Sequence, residues 1–129
     1  MQIKISLLNS LLHESNAFSL ENQEFINKIE IAGVVGVANV SNVSGSKVGR
    51  FSVMTENSST SRDGGLMVEC TWFSVCAFES GKITGLDKIQ KGSKVHVLGR
   101  VRVRRYVDSD GNDRQCWEVV ANELKFLED

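Results

Sequence analysis

Arginines recur at every second position through Gly99–Tyr106, GRVRVRRY, and an aromatic closes the row. On a β-strand, side chains two apart share a face and stand ~7 Å from one another. Arg100, Arg102, Arg104 and Tyr106 would therefore line one face together with His96 and Leu98, and Val95, Val97, Gly99, Val101 and Val103 would face the core. The interval is near that of successive phosphates on a nucleic-acid backbone, so the row suits a polyanion better than a single anion. Like charges at that distance repel unless water, acids or a polyanion screens them. The bland alternative is a solvated strand face. Glu118, on the strand that returns after the row, offers one cross-strand partner, and one glutamate does not balance three arginines.

A second stretch, Glu69–Phe78 (ECTWFSVCAF), supplies aromatics. If it is a strand, Phe73, Val75 and Ala77 point inward, and Trp72, Ser74, Cys76 and Phe78 point outward. An outward Trp and Phe need a cover. A nucleobase is one, worth ~1–3 kcal/mol per stacked base with little sequence preference. A subunit interface is the other. Trp117 lies on the face opposite Cys116 and Glu118, which makes it core or interface.

These side chains need strands to carry them. β-branched and alternating runs predict strands over 29–35, 48–55 (Phe51 and Val53 on one side), 69–78, 95–106 and 114–120. Glu56–Gly65 (ENSSTSRDGG) reads as a mobile loop and Asp108–Asp113 (DSDGND) as a hairpin turn with an Asp-Gly pair. Ser80 looks like a helix N-cap, with Ile83, Leu86 and Ile89 as the buried stripe of a short helix weakened by Gly85 and closed at Gly92. Three strands, a short helix and two strands is the order of a five-stranded OB-fold barrel, all-β with one short helix; another small barrel remains open on periodicity alone. Residues 1–26 differ. Ile3, Ile5 and Leu7 alternate like a strand, Leu8, Leu11 and Leu12 hint at a helix, and the segment is expected to pack on the domain or on a partner subunit.

The totals are those of one ordinary globular domain: 129 residues, 41% hydrophobic, 24% charged, net charge -1. That net charge hides an asymmetry. Lys88–Val107 holds Lys88, Lys91, Lys94, Arg100, Arg102, Arg104 and Arg105 and no acid, so the distribution argues for a polyanion where the total does not. There is no apolar run of about 18 residues, and the N-terminus makes a poor signal peptide. Cys70, Cys76 and Cys116, odd in number and without CxxC spacing, read as reduced thiols of a cytoplasmic protein and not as a metal site. Enzymatic chemistry is not expected. No nucleophile stands at readable spacing from a base, no glycine loop would cradle phosphates, and His13 and His96 are isolated. No cofactor is implied.

The stretch Lys91–Arg114, KGSKVHVLGRVRVRRYVDSDGNDR, resembles the strand-and-hairpin signature of bacterial single-stranded DNA-binding proteins, the SSB family. Asn27-Lys28-Ile29 resembles the family's opening Asn-Lys-Val, Thr71-Trp72 and Ala77-Phe78 the ends of its third strand, and Glu118–Leu124 its last strand. The resemblance runs from about residue 27 to 127. It implies an OB barrel over 27–129, preceded by an extension at 1–26 that the family lacks. It also implies a homotetramer (or a dimer) that wraps single-stranded DNA without sequence preference in replication, repair or recombination. On that basis Trp72 and Phe78 fall at base-stacking positions, Tyr106 where the family has a stacking Trp, and Arg102, Arg104 and Lys91 at basic positions along the DNA. Arg100 is added from its strand face alone. Departures accompany the match. Phe73-Ser74 stands where the family has His-Arg, Cys116 and Trp117 replace small hydroxyl residues, and the loop after the second strand lacks an aromatic. After Phe126-Leu127-Glu128-Asp129 there is no Gly/Pro/Gln-rich tail, so recruitment of repair enzymes through an acidic tip is not expected. The alternative function is an OB-fold interaction or assembly subunit that binds DNA weakly or not at all, with residues 1–26 filling the groove.

Overall fold

A computed structural model describes residues 25–127. The strand and helix readings at 3–12, and the acids at 128 and 129, lie outside the described residues. Five long strands follow one another: β1 (Ile29–Val43), β2 (Ser46–Thr60), β3 (Leu66–Phe78), β4 (Lys94–Val107) and β5 (Asp113–Phe126). They close into a barrel in the order β1-β2-β3-β5-β4. Every neighbouring pair is antiparallel except β3 and β5, which run parallel and meet only at Val75–Val119 and Cys76–Val120. This is the OB-fold layout.

The alternation read from the sequence builds the interior. Ile31, Val35, Phe51, Val53, Val75, Ala77, Val95, Val97, Val119, Ala121 and Leu124 form one buried cluster. Ile83, Leu86 and Ile89 join it, yet no α-helix carries them. Among the described residues the segment after β3 contains one 3-10 turn, Leu86–Lys88, in place of the expected helix. Gly85 explains the difference. Its φ of 75° lies in the left-handed region, which a continuing right-handed helix cannot include. Ser80 pairs with Ile83 in a tight bridge, and its hydroxyl accepts from the Lys82 amide. Apolar residues three apart are thus delivered to the barrel by turns.

The strands also outrun their expected ends. Beyond the barrel, β2 and β3 stay paired up to Thr60–Leu66, so the first half of the expected loop 56–65 is ladder. The turn itself is Ser61–Gly65. The Ser61 amide donates to the Gly65 carbonyl at 2.7 Å, and the Ser61 hydroxyl donates to the Asp63 carboxylate and accepts from the Gly65 amide. The Ser61 hydroxyl also holds the Asp63 carboxyl below the usual carboxylate range. Polar composition alone misread this segment because an arm with both faces in water needs no apolar alternation. At its other end, β1 runs on past Gly36 to Val43 through a bulge between Val35 and Ala38, where the Val37 amide bonds the Ser52 hydroxyl.

The parallel closure sets the shape of the surface. Above Val75 and Val119 the seam has no further pairs, and both the β2–β3 and β4–β5 hairpins leave the barrel at the same end. Val103, expected in the core, is 40% exposed because it lies on the projecting part of β4. The side chain of Asn27 clamps the Val101 backbone from both sides, donating to its carbonyl at 2.6 Å and accepting from its amide at 2.9 Å, which pins the start of β1 at the base of that arm.

Candidate nucleic-acid interface

Four strands, β2-β3-β5-β4, present one outer surface, joined across the seam at Cys76 and Val120 and divided between the two hairpins above it. Strand parity places Arg50, Ser52 and Met54 on it from β2, Trp72, Ser74, Cys76 and Phe78 from β3, Glu118 and Val120 from β5, and Arg100, Arg102, Arg104 and Tyr106 from β4. Six of the seven expected site residues therefore share one face. Lys91, the seventh, is exposed in the turn before β4. That turn abuts the β1 bulge, since the Gly92 amide donates to the Val35 carbonyl and the Val35 amide to the Ser93 carbonyl.

The aromatics are open. Trp72 is 60% exposed, Phe78 44% and Tyr106 40%. Gly36 fixes where the Trp72 ring lies. A Cβ on Gly36 would stand 2.5 Å from the ring atom Cζ3 and 2.9 Å from Cη2, so the indole reaches across β2 onto the bulge of β1 and only a residue without a side chain lets it do so. Arg104 packs over the Tyr106 ring, 5.5 Å from its centroid, as expected of a cation–π pair.

The arginine row is not uniform. Arg100 and Arg104 are exposed, and Arg102 is tied down. Its Nε and Nη2 bond one oxygen of Glu118 at 2.9 and 2.7 Å, while the other oxygen takes Arg50 Nη1 at 3.0 Å. Glu118 was legible as a cross-strand partner. Its burial, 4% exposed on an outward position, was not. Cys76, expected on the outer face, is there by parity but fully covered beneath the same ion cluster. Burial pushes its thiol pKa above the ordinary value, and Arg50 pulls it the other way.

Two residues of this end were not foreseen as parts of the surface. Arg50 stands opposite Cys76, and its outward orientation follows from the inward Phe51 and Val53. Trp117, expected in the core or an interface, is 71% exposed. With Ile29, Trp72, Phe73 and Val101 it lines a crevice of about 180 Å³ where the β3–β5 seam opens. Beyond it, Asp108 organises the tip of the β4–β5 arm by accepting from the amides of Asp110 and Asn112 and from Arg114 Nε, with Gly111 at φ 83° completing the turn. The Arg114 bond, with those amides, holds the Asp108 carboxyl below the usual carboxylate range.

The model of the single-strand binding protein family matches residues 26–127. The chain belongs to that family. A single-stranded DNA-binding protein of Neisseria meningitidis serogroup B is 32% identical over 84 residues, covering 64% of this chain and 48% of its own length. The chain thus spans about half the length of the bacterial relatives it matches. The mitochondrial single-stranded DNA-binding protein of Oryctolagus cuniculus is 30% identical over 91% of this chain and 86% of its own. Among solved structures, a Plasmodium falciparum SSB complex with ssDNA superposes with a TM-score of 0.68 at 26% identity, over 83% of this chain and 99% of that one. A single-stranded DNA binding protein from Thermus aquaticus, at 16% identity and a TM-score of 0.64, shares the fold. Among the described residues no helix is long and apolar enough to cross a membrane.

Proposed function

We propose that this chain binds single-stranded DNA without sequence preference and without catalysis, in replication, repair or recombination. Trp72, Phe78 and Tyr106 stack bases; Arg100, Arg102, Arg104 and Lys91 neutralise phosphates, with Lys91 serving the Trp72 side. The observation that carries this reading is the open Trp72 indole, held across β2 by Gly36, on the same outer surface as the arginine row. Family membership and the likeness to an SSB complex with ssDNA support it. The working form is a homo-oligomer, a tetramer or a dimer. Support comes from β1, which past Val35 pairs only with β2 among the described strands. Residues 27–129 form the binding domain and 1–26 an extension. The compartment is that of the DNA served, bacterial cytoplasm or mitochondrial matrix, in keeping with relatives of both kinds.

Titration with oligo-dT at two salt concentrations tests this. Tryptophan fluorescence should be quenched, and affinity should fall steeply with salt. Absence of quenching and of salt-dependent binding, together with a salt-independent oligomer by light scattering, would make the chain an assembly subunit instead.

A further inference from the structure

Glu118 is a carboxylate on the outer face of a sheet, and such a residue would ordinarily sit in water. It is buried at 4% exposure, with an arginine from each side holding one of its two oxygens. β3 separates β2 from β5, so Arg50 must cross about 10 Å, two strand spacings, to reach it. The path of its side chain runs over Cys76, its opposite residue on β3, which helps account for the complete burial of that thiol. An unpaired arginine on β2 would extend into solvent and sample many rotamers. Here its head is fetched across a strand and set beside Arg102.

We propose that Arg50 is a phosphate-contacting residue of the nucleic-acid path and that Glu118 is the positioning residue that places it there together with Arg102. The proposal rests on single-strand binding as read above and adds to it a basic position on β2. Trp72 and Phe78 are six residues apart on β3, ~20 Å at the strand rise. A strand of nucleic acid stacked on both must carry its intervening phosphates past the middle of that interval, and Cys76 with the Arg50 head over it stands there. Each guanidinium has five N–H groups. Arg50 uses Nη1 and Arg102 uses Nε and Nη2 on Glu118, which leaves donors on both for an incoming anion. The side chain of Arg50 is 45% exposed, so an anion can reach it without unfolding anything. Glu118 fixes the two heads in advance of binding, so the ordering cost is met in the free protein.

Two variants of the full chain test this, with oligo-dT titrated between 50 and 200 mM salt and melting followed in parallel. Arg50→Met keeps a side chain over Cys76 and removes the charge. It should weaken binding and lower the slope of log affinity against log salt by about 0.7, the value for one single-strand phosphate. The loss should therefore be about 2.6-fold larger at 50 than at 200 mM salt. Glu118→Gln should also weaken binding, severalfold, although it removes a negative charge. Simple electrostatics gives the opposite sign, and a purely structural role would move melting without touching the salt slope of Arg50→Met. An unchanged slope in Arg50→Met, or tighter binding by a folded Glu118→Gln, overturns the proposal. If Glu118→Gln fails to fold, the slope of Arg50→Met decides alone. A parent chain that ignores oligo-dT overturns the binding function as well, whereas a binding parent with an unaltered Arg50→Met slope overturns this inference only.

Discussion

Gly36→Ala is the sharpest perturbation of the surface, because it acts on Trp72 from another strand. The new methyl would stand 2.5 Å from Cζ3 of the indole and 2.9 Å from Cη2. Carbon atoms in contact prefer at least about 3.5 Å, so the ring tip must retreat by roughly 1 Å or leave its site. The two nearest atoms belong to the free end of a side chain that is 60% exposed, and the third, the Ser52 hydroxyl oxygen at 3.0 Å, has to give by only a few tenths of an ångström, so the barrel itself is not obstructed. Melting should therefore change little. Binding should change a great deal if this ring orientation is the one that stacks. A stacked base is worth ~1–3 kcal/mol, which converts to about 5- to 150-fold in affinity. Trp72→Ala sets the ceiling, and Gly36→Ala should recover a large part of it. The assay is oligo-dT binding by fluorescence anisotropy with a melting curve for each variant. If Trp72→Ala weakens binding while Gly36→Ala binds like the parent, the ring stacks in some other orientation. If Gly36→Ala weakens binding only in proportion to unfolding, the bulge is structural and does not aim the indole at a base.

Arg102→Ala with Arg104→Ala should weaken binding equally for every base composition and flatten the salt slope by up to about 0.7 for each phosphate no longer neutralised; an unaltered slope would mean a solvated face. Leu86→Ala removes a side chain 1% exposed from the turn that plugs the barrel and should cost about 2–5 kcal/mol in chemical denaturation; a loss below ~1 kcal/mol would mean that this turn does not close the core. The Asp108 pKa is depressed below its ordinary 3.8, so its support for the β4–β5 tip is complete above about pH 4 and disappears as pH falls through the depressed value. The amide shifts of Asp110 and Asn112 should titrate at that lowered pKa, and Asp108→Asn should abolish the inflection; a midpoint at or above the ordinary value would contradict the hydrogen bonds described.

The barrel was legible where burial on one side imposes a period of two. Phe51, Val53, Val95 and Val97 show it plainly, and the DSDGND turn announced itself through Asp108 and Gly111. Legibility failed where that constraint lapses. Thr60, Ser59 and Ser58 belong to a strand with water on both faces, so nothing in their types distinguishes ladder from loop. Ile83, Leu86 and Ile89 were rightly read as buried, but a three-residue spacing cannot tell a helix from turns that deliver the same residues, and Gly85 decided it. The outward direction of Arg50 followed from its neighbours. Its meeting with Glu118 did not, because that depends on β3 lying between β2 and β5, an adjacency no local pattern records. For Trp117 the core half of the reading fails for a related reason: its parity is that of the interior, and the interior ends below it, at Val119.

The seam between β3 and β5 has a kinetic consequence. It joins residues 44 positions apart in sequence through only Val75–Val119 and Cys76–Val120, whereas the two hairpins join neighbours in sequence. Closing so long a loop is entropically costly and slow, so the hairpins should zip early and the barrel should shut last. The same joint should be the first to part in the native protein, since few backbone bonds guard it. Native-state hydrogen exchange would then report two classes of amide, with those that donate across the β3–β5 seam opening at lower free energy than Phe51 or Val97. A strand of DNA lying over Trp72 and Arg102 spans this joint from one side to the other. It would act as a fastener, raising protection at the seam more than anywhere else in the barrel.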